Sequence, residues 1–210
     1  LLKTGKLWYN TYYRKIFSVF KGYDTKSVSL TKESAAFFLW KKGEAMFKEG
    51  DFIIYGSNGV CQVEHIGSMD LQGVPGDKMY YTLVPVYEEK SRLFTPVDNH
   101  KVVMRPVISK KEACELIDHM QEMQVFEIQN EKNRDTVFKE ALKTGDCEEL
   151  VRVIKTIYEK KQERKAQGKK VTAGDERYFK LAEEHLYGEL AIALGIEKDK
   201  VSSYIEKRIA

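Results

Sequence analysis

Cysteine is scarce in this chain. Cys61, Cys114 and Cys147 are all that 210 positions hold, scattered, odd in number and without C-x-x-C spacing. That pattern fits a reduced, cytosolic protein with buried thiols better than a disulfide framework or a zinc site. Long hydrophobic runs are missing as well. No stretch approaches the ~18 apolar residues of a membrane span, and the first residues lack the contiguous apolar core of a signal peptide. The four histidines, His65, His100, His119 and His185, lie far apart with no ligand spacing. Each therefore reads as structural or exposed, and no metal is expected. The sequence holds no G-x-x-x-x-G-K-[ST] phosphate loop, no G-x-S-x-G elbow, and no cysteine with an evident histidine partner in a catalytic motif. Nothing asks for catalysis or a cofactor, so a non-enzymatic protein is expected. There is no internal repeat, and no heptad seam demands a dimer; a monomer is expected.

What is present is globular in composition, 42% hydrophobic and 32% charged, in a length that allows one large domain or two small ones. The formal net charge of +3 conceals a pattern. Residues 1–45 hold nine Lys/Arg against three Asp/Glu, and the remainder holds 26 against 29, which excludes a uniformly basic nucleic-acid binder for the main body. Within that body, residues 46–120 carry eight basic against eleven acidic side chains, and residues 152–180 carry ten against four. An acidic β-rich half joined to a locally basic half suggests two partners of different kinds. Residues 1–45 also contain ten aromatics, including both tryptophans, Trp8 and Trp40, yet no capped element. Lys42-Gly43-Glu44 can be encoded by a purine-rich run that doubles as a bacterial ribosome-binding site just before Met46. Residues 1–45 are accordingly expected to be a poorly structured extension upstream of a native start at Met46; a genuine basic-aromatic extension that binds membrane or nucleic acid is the other reading.

From Met46 the chain changes character. Phe52–Tyr55 and Val60–Val63 are β-rich runs facing each other across Gly56-Ser57-Asn58-Gly59, a corner whose residues tolerate positive φ. Further β-branched or aromatic runs follow at Tyr80–Tyr87, Arg92–Thr95 and Val102–Arg105, with turn signals at Gly73-Val74-Pro75-Gly76-Asp77, Glu88–Ser91 and Pro96–His100. Five short strands predict a small, strongly bent sheet over residues 46–107. Helices then take over residues 108–210. Ser109 and Glu112 form a capping box ahead of Ala113, Leu116, Ile117 and Met120. A second helix over about Asn133–Lys143 stops at Thr144-Gly145. Asp146 caps a third with an apolar stripe of Leu150, Val151, Ile154, Ile157 and Tyr158. After the polar loop Lys165–Lys170, Thr172 opens a fourth, with Phe179, Leu181, Ala182, Leu186, Leu190 and Ala193 inward and Gly195 at its end. A short fifth occupies about Asp199–Arg208. The predicted class is α+β in two domains: a small Tudor/SH3-like β-barrel followed by a compact all-α helical domain.

Particular motifs carry a resemblance. Lys48-Glu49-Gly50-Asp51-Phe52-Ile53-Ile54-Tyr55, with Gly59 behind it, reads K-x-G-D-x-[aliphatic]-x-Y-x-x-x-G. Ala141–Asp146, Val153–Tyr158 and Glu183–Gly195 follow in order. Together these resemble the CarD-like bacterial transcription regulators over about residues 46–196. The resemblance implies an amino-terminal barrel, shared with the polymerase-binding module of the transcription-repair coupling factor, that docks on the β subunit of RNA polymerase. It implies a helical domain that meets promoter DNA at the upstream edge of the transcription bubble, largely without sequence readout. A cytoplasmic location follows.

Arg92–Thr95 is the candidate edge strand for docking, since an exposed edge can extend a partner's sheet. Relatives use barrel arginines to meet the polymerase; the matching positions here are Met69 and Phe94, with Arg92 on the same strand face as Phe94. Met69, Arg92, Leu93, Phe94 and Thr95 are thus the candidate polymerase-binding set. Relatives also place a wedge tryptophan just before the second helix; aligning back from Thr144-Gly145-Asp146 puts Glu131 there, so the wedge is absent or replaced. Lys132 and Arg134 beside it, and Lys160, Lys161, Arg164 and Lys165 in the basic cluster, are the candidate DNA-binding set through phosphate contacts. Each of these residues could equally be an ordinary solvated charge. The rival function is a protein-interaction adaptor with no DNA contact.

Overall fold

The first hairpin follows from its glycines. In a computed structural model of the protein, strand β1 (Phe52–Tyr55) ends in a 3-10 turn, Gly56–Asn58, and β2 (Val60–Ser68) begins one residue later. Gly56 and Gly59 have φ of 48° and 67°, values that cost residues with a Cβ but not glycine. The corner is closed by Tyr55 N–H donating to the Gly59 carbonyl at 3.0 Å and by Asn58 Nδ2 donating to the Tyr55 carbonyl at 3.3 Å. The structure describes residues 47–68, 78–88, 91–128 and 130–209, all within one compact unit. Residues 1–45 and Met46, the Gly73–Asp77 turn, part of the Glu88–Ser91 turn and Met69 lie outside the described residues.

Strands β3 (Met79–Pro85), β4 (Leu93–Pro96) and β5 (Met104–Pro106) complete a five-stranded antiparallel sheet in the order β4-β3-β2-β1-β5. Among the described residues β4 and β5 are its two edges, so the sheet matches the expected strands and the expected edge at β4, while no recorded ladder closes it into a barrel. One bulge interrupts β2, where the register with β3 shifts between Val63 and His65 and leaves Glu64 as the extra residue. One face buries Ile53, Cys61, Val63, Tyr81 and Leu83 around Phe47. Alternation along a strand should leave Ile54 and Val60 outward, yet both are buried, because the helical half covers that end of the second face.

The helices are α1 (Lys110–His119), α2 (Arg134–Thr144), α3 (Cys147–Ala166), α4 (Ala173–Leu194) and α5 (Val201–Ile209). Their limits follow local chemistry. Ser109 and Glu112 form the reciprocal capping box. Asp146 accepts from the Glu148 and Glu149 amides, and Thr172 from the Asp175 amide. Gly145 and Gly195 end α2 and α4 in the left-handed region. The bundle core gathers Ile117, Phe138, Leu150, Val153, Ile157, Leu190 and Val201, with Tyr178 edge-on to Phe138 at 5.7 Å. One expectation needs correction. Tyr158 does not extend the α3 stripe; it is exposed, because α3 runs beyond the core after Ile157. On α4 the expected Ala182, Leu186 and Leu190 are buried and Phe179, Leu181 and Ala193 pack half-buried against the same core, with Tyr178, Ala191 and Leu194 buried beside them.

Sheet and helices meet at a buried ion pair. Arg105 of β5 donates through Nη1 and Nη2 to the Glu189 carboxylate of α4 at 2.5 and 2.7 Å, and Glu189 is only 1% exposed. Glu189 also accepts from the Ile108 amide at 3.1 Å and the Cys147 thiol at 3.1 Å. Arg105 Nη2 donates as well to the Gly145 carbonyl at the end of α2. Gly145 must be glycine twice over: its φ is 61°, and a Cβ there would stand 2.7 Å from Ile54 Cγ2. Burial works against the Arg105 charge, but the hydrogen bonds and charge of Glu189 hold its pKa above the ordinary value. Burial, then the Glu189 charge, pushes the Cys147 thiol well up, and burial pushes Cys61 up to about 12. Beside the pair, the Tyr87 hydroxyl donates to the Gly188 carbonyl at 3.0 Å, and Lys198 Nζ lies 4.4 Å from the Tyr87 ring centre. His185 packs on Gly59, its Nδ1 buried without a hydrogen-bond partner among the described residues.

Two outcomes are expected. Glu189→Leu strands a buried guanidinium and should cost about 3–5 kcal/mol. Arg105→Met/Glu189→Leu, which removes both charges, should recover most of that loss in urea denaturation. Burial chiefly, with the Lys198 charge, depresses the His185 pKa against the opposing charges of Glu184 and Glu88. Between that depressed value and the ordinary 6.5 the unfolded chain binds more protons, so stability should fall as pH drops below 6.5, by up to about 1.4 kcal/mol per pH unit. His185→Gln should flatten that part of the stability–pH curve.

Candidate functional site

Two surfaces carry the residues singled out by sequence. The first is the β4 edge. Val97 N–H donates to the Met79 carbonyl at 3.0 Å, so the antiparallel alternation turns the main chain of Thr95 and Leu93 toward β3 and that of Phe94 outward. Phe94 is 51% exposed and stands level with Thr82 and His65 across β3 and β2. The edge is short and ends at Pro96, which has no N–H to offer.

Charged pairs flank the ring. Arg92 donates through Nε and Nη2 to the bulged Glu64 at 2.6 and 2.8 Å, a two-point grip that lowers the Glu64 pKa. His65 Nδ1 lies 2.7 Å from Glu49 Oε1, which also accepts from the Ile66 amide. That amide, ahead of His65, is what lowers the Glu49 pKa. Leu93 packs partly into the sheet core, and Thr95 is buried, its hydroxyl accepting from Asn99 Nδ2 at 2.6 Å. Of the described members of the polymerase-binding set, Arg92 and Phe94 present side chains to solvent, while Leu93 and Thr95 shape the strand from within.

The second surface lies where α2 starts beside α3. Glu131, in a 3-10 turn (Glu131–Asn133), receives Arg134 Nη1 at 2.7 Å and Lys160 Nζ. Its pKa is lowered, first by the Lys160 hydrogen bond and then by the charges of Arg134, Lys160 and Arg164. Arg134 reaches on through Nη2 to Asp175 at 3.1 Å, and that carboxylate is 2% exposed. Arg134 is therefore a strut between the starts of α2 and α4. Arg164 Nε donates to the Lys170 carbonyl at 2.8 Å, folding the loop back on α3. Lys132, Lys161 and Lys165 are exposed, with no ion pair recorded among the described residues.

Of the sequence-derived cations, the fold thus gathers Arg134, Lys160 and Arg164 and leaves the other three apart. Lys155, counted in the basic cluster, donates to the carbonyls of Met120, Gln121 and Met123 and closes the end of α1. The Arg105–Glu189 junction escaped sequence reasoning altogether; its one local signal is a glutamate inside the apolar run Leu186–Leu194. Among the described residues no group of His, Cys, Asp or Glu could hold a metal, and no helix is long and apolar enough to cross a membrane.

Arg134 and Lys132 should part company under mutation. Arg134→Ala leaves buried Asp175 without its cation and should destabilise by about 1–3 kcal/mol, whereas Lys132→Ala should stay within about 0.5 kcal/mol of the parent in the same urea melts.

Comparison with protein families matches the two halves in turn. Residues 47–108 match the CarD-like/TRCF RID domain, the sheet with its β4 edge. Residues 115–206 match the C-terminal domain of CarD, which spans the bundle from α1 into α5. With both domains in the family's order and covering most of its length, the chain belongs to the CarD-like family of RNA polymerase-interacting transcription regulators.

Proposed function

We propose that residues 46–107 form a Tudor-like module that docks on the β subunit of RNA polymerase through β4, and that residues 108–210 form a second domain contacting promoter DNA near the upstream edge of the bubble. The protein acts in this reading as a monomeric, non-enzymatic regulator in the bacterial cytoplasm. The observation that carries it is the outward main chain of Phe94 at the sheet edge, beneath an exposed aromatic ring. A partner strand laid on β4 would gain main-chain hydrogen bonds there and bury the ring. Arg92 is already gripped by Glu64, so the docking surface is more apolar than the arginine-bearing surface that the family resemblance implies.

For the helical half the support is electrostatic. Lys132, Lys161 and Lys165 stand in solvent, and exposed lysines hold duplex phosphates without reading bases. Contacts made only in the opened promoter complex would shift the closed-to-open equilibrium; about 1–3 kcal/mol changes occupancy roughly 5- to 150-fold. One observation favours the adaptor: Arg134 and Lys160 already have carboxylate partners within the protein.

The full chain, added to polymerase on a promoter fragment, tests both. Phe94→Ala should weaken capture of the β subunit with little change in melting temperature. Charge reversal at Lys161 and Lys165 should leave capture intact but shorten the promoter-complex lifetime and reduce its salt dependence. Unchanged capture by Phe94→Ala refutes docking at β4, and an unchanged lifetime after charge reversal favours the adaptor.

A further inference from the structure

Glu131 is oddly placed. It is the acid at the centre of three cations, Arg134, Lys160 and Arg164. Its side chain is 67% exposed, while those of Arg134 and Lys160 are 18% and 22% exposed. The cations are thus the seated groups and the carboxylate is the outermost one. Arg134 does not depend on Glu131 for its position, because buried Asp175 holds its other nitrogen. Lys160 arrives from α3, 29 residues away, and Arg164 stands one turn further along. Each carboxylate oxygen receives a charge-assisted hydrogen bond from a different element, the arrangement in which two cations take two oxygens of a phosphate.

We propose that Arg134, Lys160 and Arg164 form the seat for one backbone phosphate of nucleic acid, and that Glu131 occupies this seat in the unbound protein as an internal stand-in for that anion. The proposal rests on the reading that the helical half contacts DNA. An exposed ion pair contributes little to stability, so a phosphate meeting the same cations displaces Glu131 at little cost. The seat then stays intact, because Asp175 keeps Arg134 extended. In the unbound protein Glu131 cancels the field that would otherwise draw polyanions to this end. The competing role for Glu131 is that of a strut tying the 3-10 turn to α3.

Glu131→Gln keeps the shape and removes the charge, and the probe is a fluorescein-labelled promoter duplex titrated by anisotropy at 50–200 mM salt. The variant is expected to bind about 2- to 10-fold tighter than the parent. Glu131→Asp, too short to span both cations, should move in the same direction. Adding Lys160→Gln to Glu131→Gln should remove the gain. A lower melting temperature with affinity unchanged or weaker in both Glu131 variants assigns the strut and overturns the stand-in. Competition by inorganic phosphate at matched ionic strength assigns the seat to a free anion and overturns the nucleic-acid ligand. If the parent shows no salt-dependent binding, the DNA contact fails on its own; Glu131→Gln binding in that case still supports the seat, and neither binding removes both.

Discussion

The Arg105–Glu189 pair is the constraint on which the arrangement of this protein depends. Taking two charges out of water costs several kcal/mol each, and their attraction alone seldom repays it. Here Ile108, Cys147 and Gly145 complete the hydrogen bonding, so the pair is fully satisfied. Its contribution is therefore better sought in orientation than in raw stability. An apolar contact between a sheet and a bundle can slide by an ångström at small cost; a bidentate guanidinium–carboxylate pair cannot. Five segments meet there: β5, the chain leading into α1, the end of α2, the start of α3 and the middle of α4. If the two halves hold different partners, this pair sets the angle at which they do so.

Electrostatics elsewhere is also organised by pairing, not by accumulation. A count of Lys and Arg over residues 152–180 suggests a strongly basic surface, but the fold commits many of those charges internally. Lys155 caps α1, Arg164 holds a loop, and Lys160 meets Glu131. Lys161 and Lys165 remain in solvent. Arg92 on the sheet is likewise engaged by Glu64. Both surfaces thus present fewer unpaired charges than composition implies, and the β4 edge leads with an aromatic ring.

The parts of this fold legible in sequence were those specified locally. Ser109, Asp146 and Thr172 marked helix starts, Gly145 and Gly195 marked ends, and the Gly56–Gly59 corner marked the hairpin, because caps and positive-φ sites are decided within a few residues. The edge at Arg92–Thr95 matched the expectation, but the return of β5 to pair with β1, which is not a hairpin connection, was not legible. Contacts closed over long separations stayed hidden. Arg105 and Glu189 are 84 residues apart, Arg134 and Asp175 are also distant, and no periodicity announces either pair. Tyr158 misled because helical spacing says which face a side chain shares but not where the neighbouring helices stop. The candidate sites were half legible: residue type and strand face could be read, but which charges were already engaged could not.

An exposed edge that can lengthen another protein's sheet is ordinarily also a hazard, since it can recruit copies of itself. Strand β4 has four residues and closes on Pro96, and the bulge at Glu64 sharpens the local twist of the sheet behind it. Such a strand accepts one visitor over a few hydrogen bonds and offers no flat continuation on which a third could stack. Resistance to edge-to-edge pairing is thereby built into the same few residues that leave the edge open.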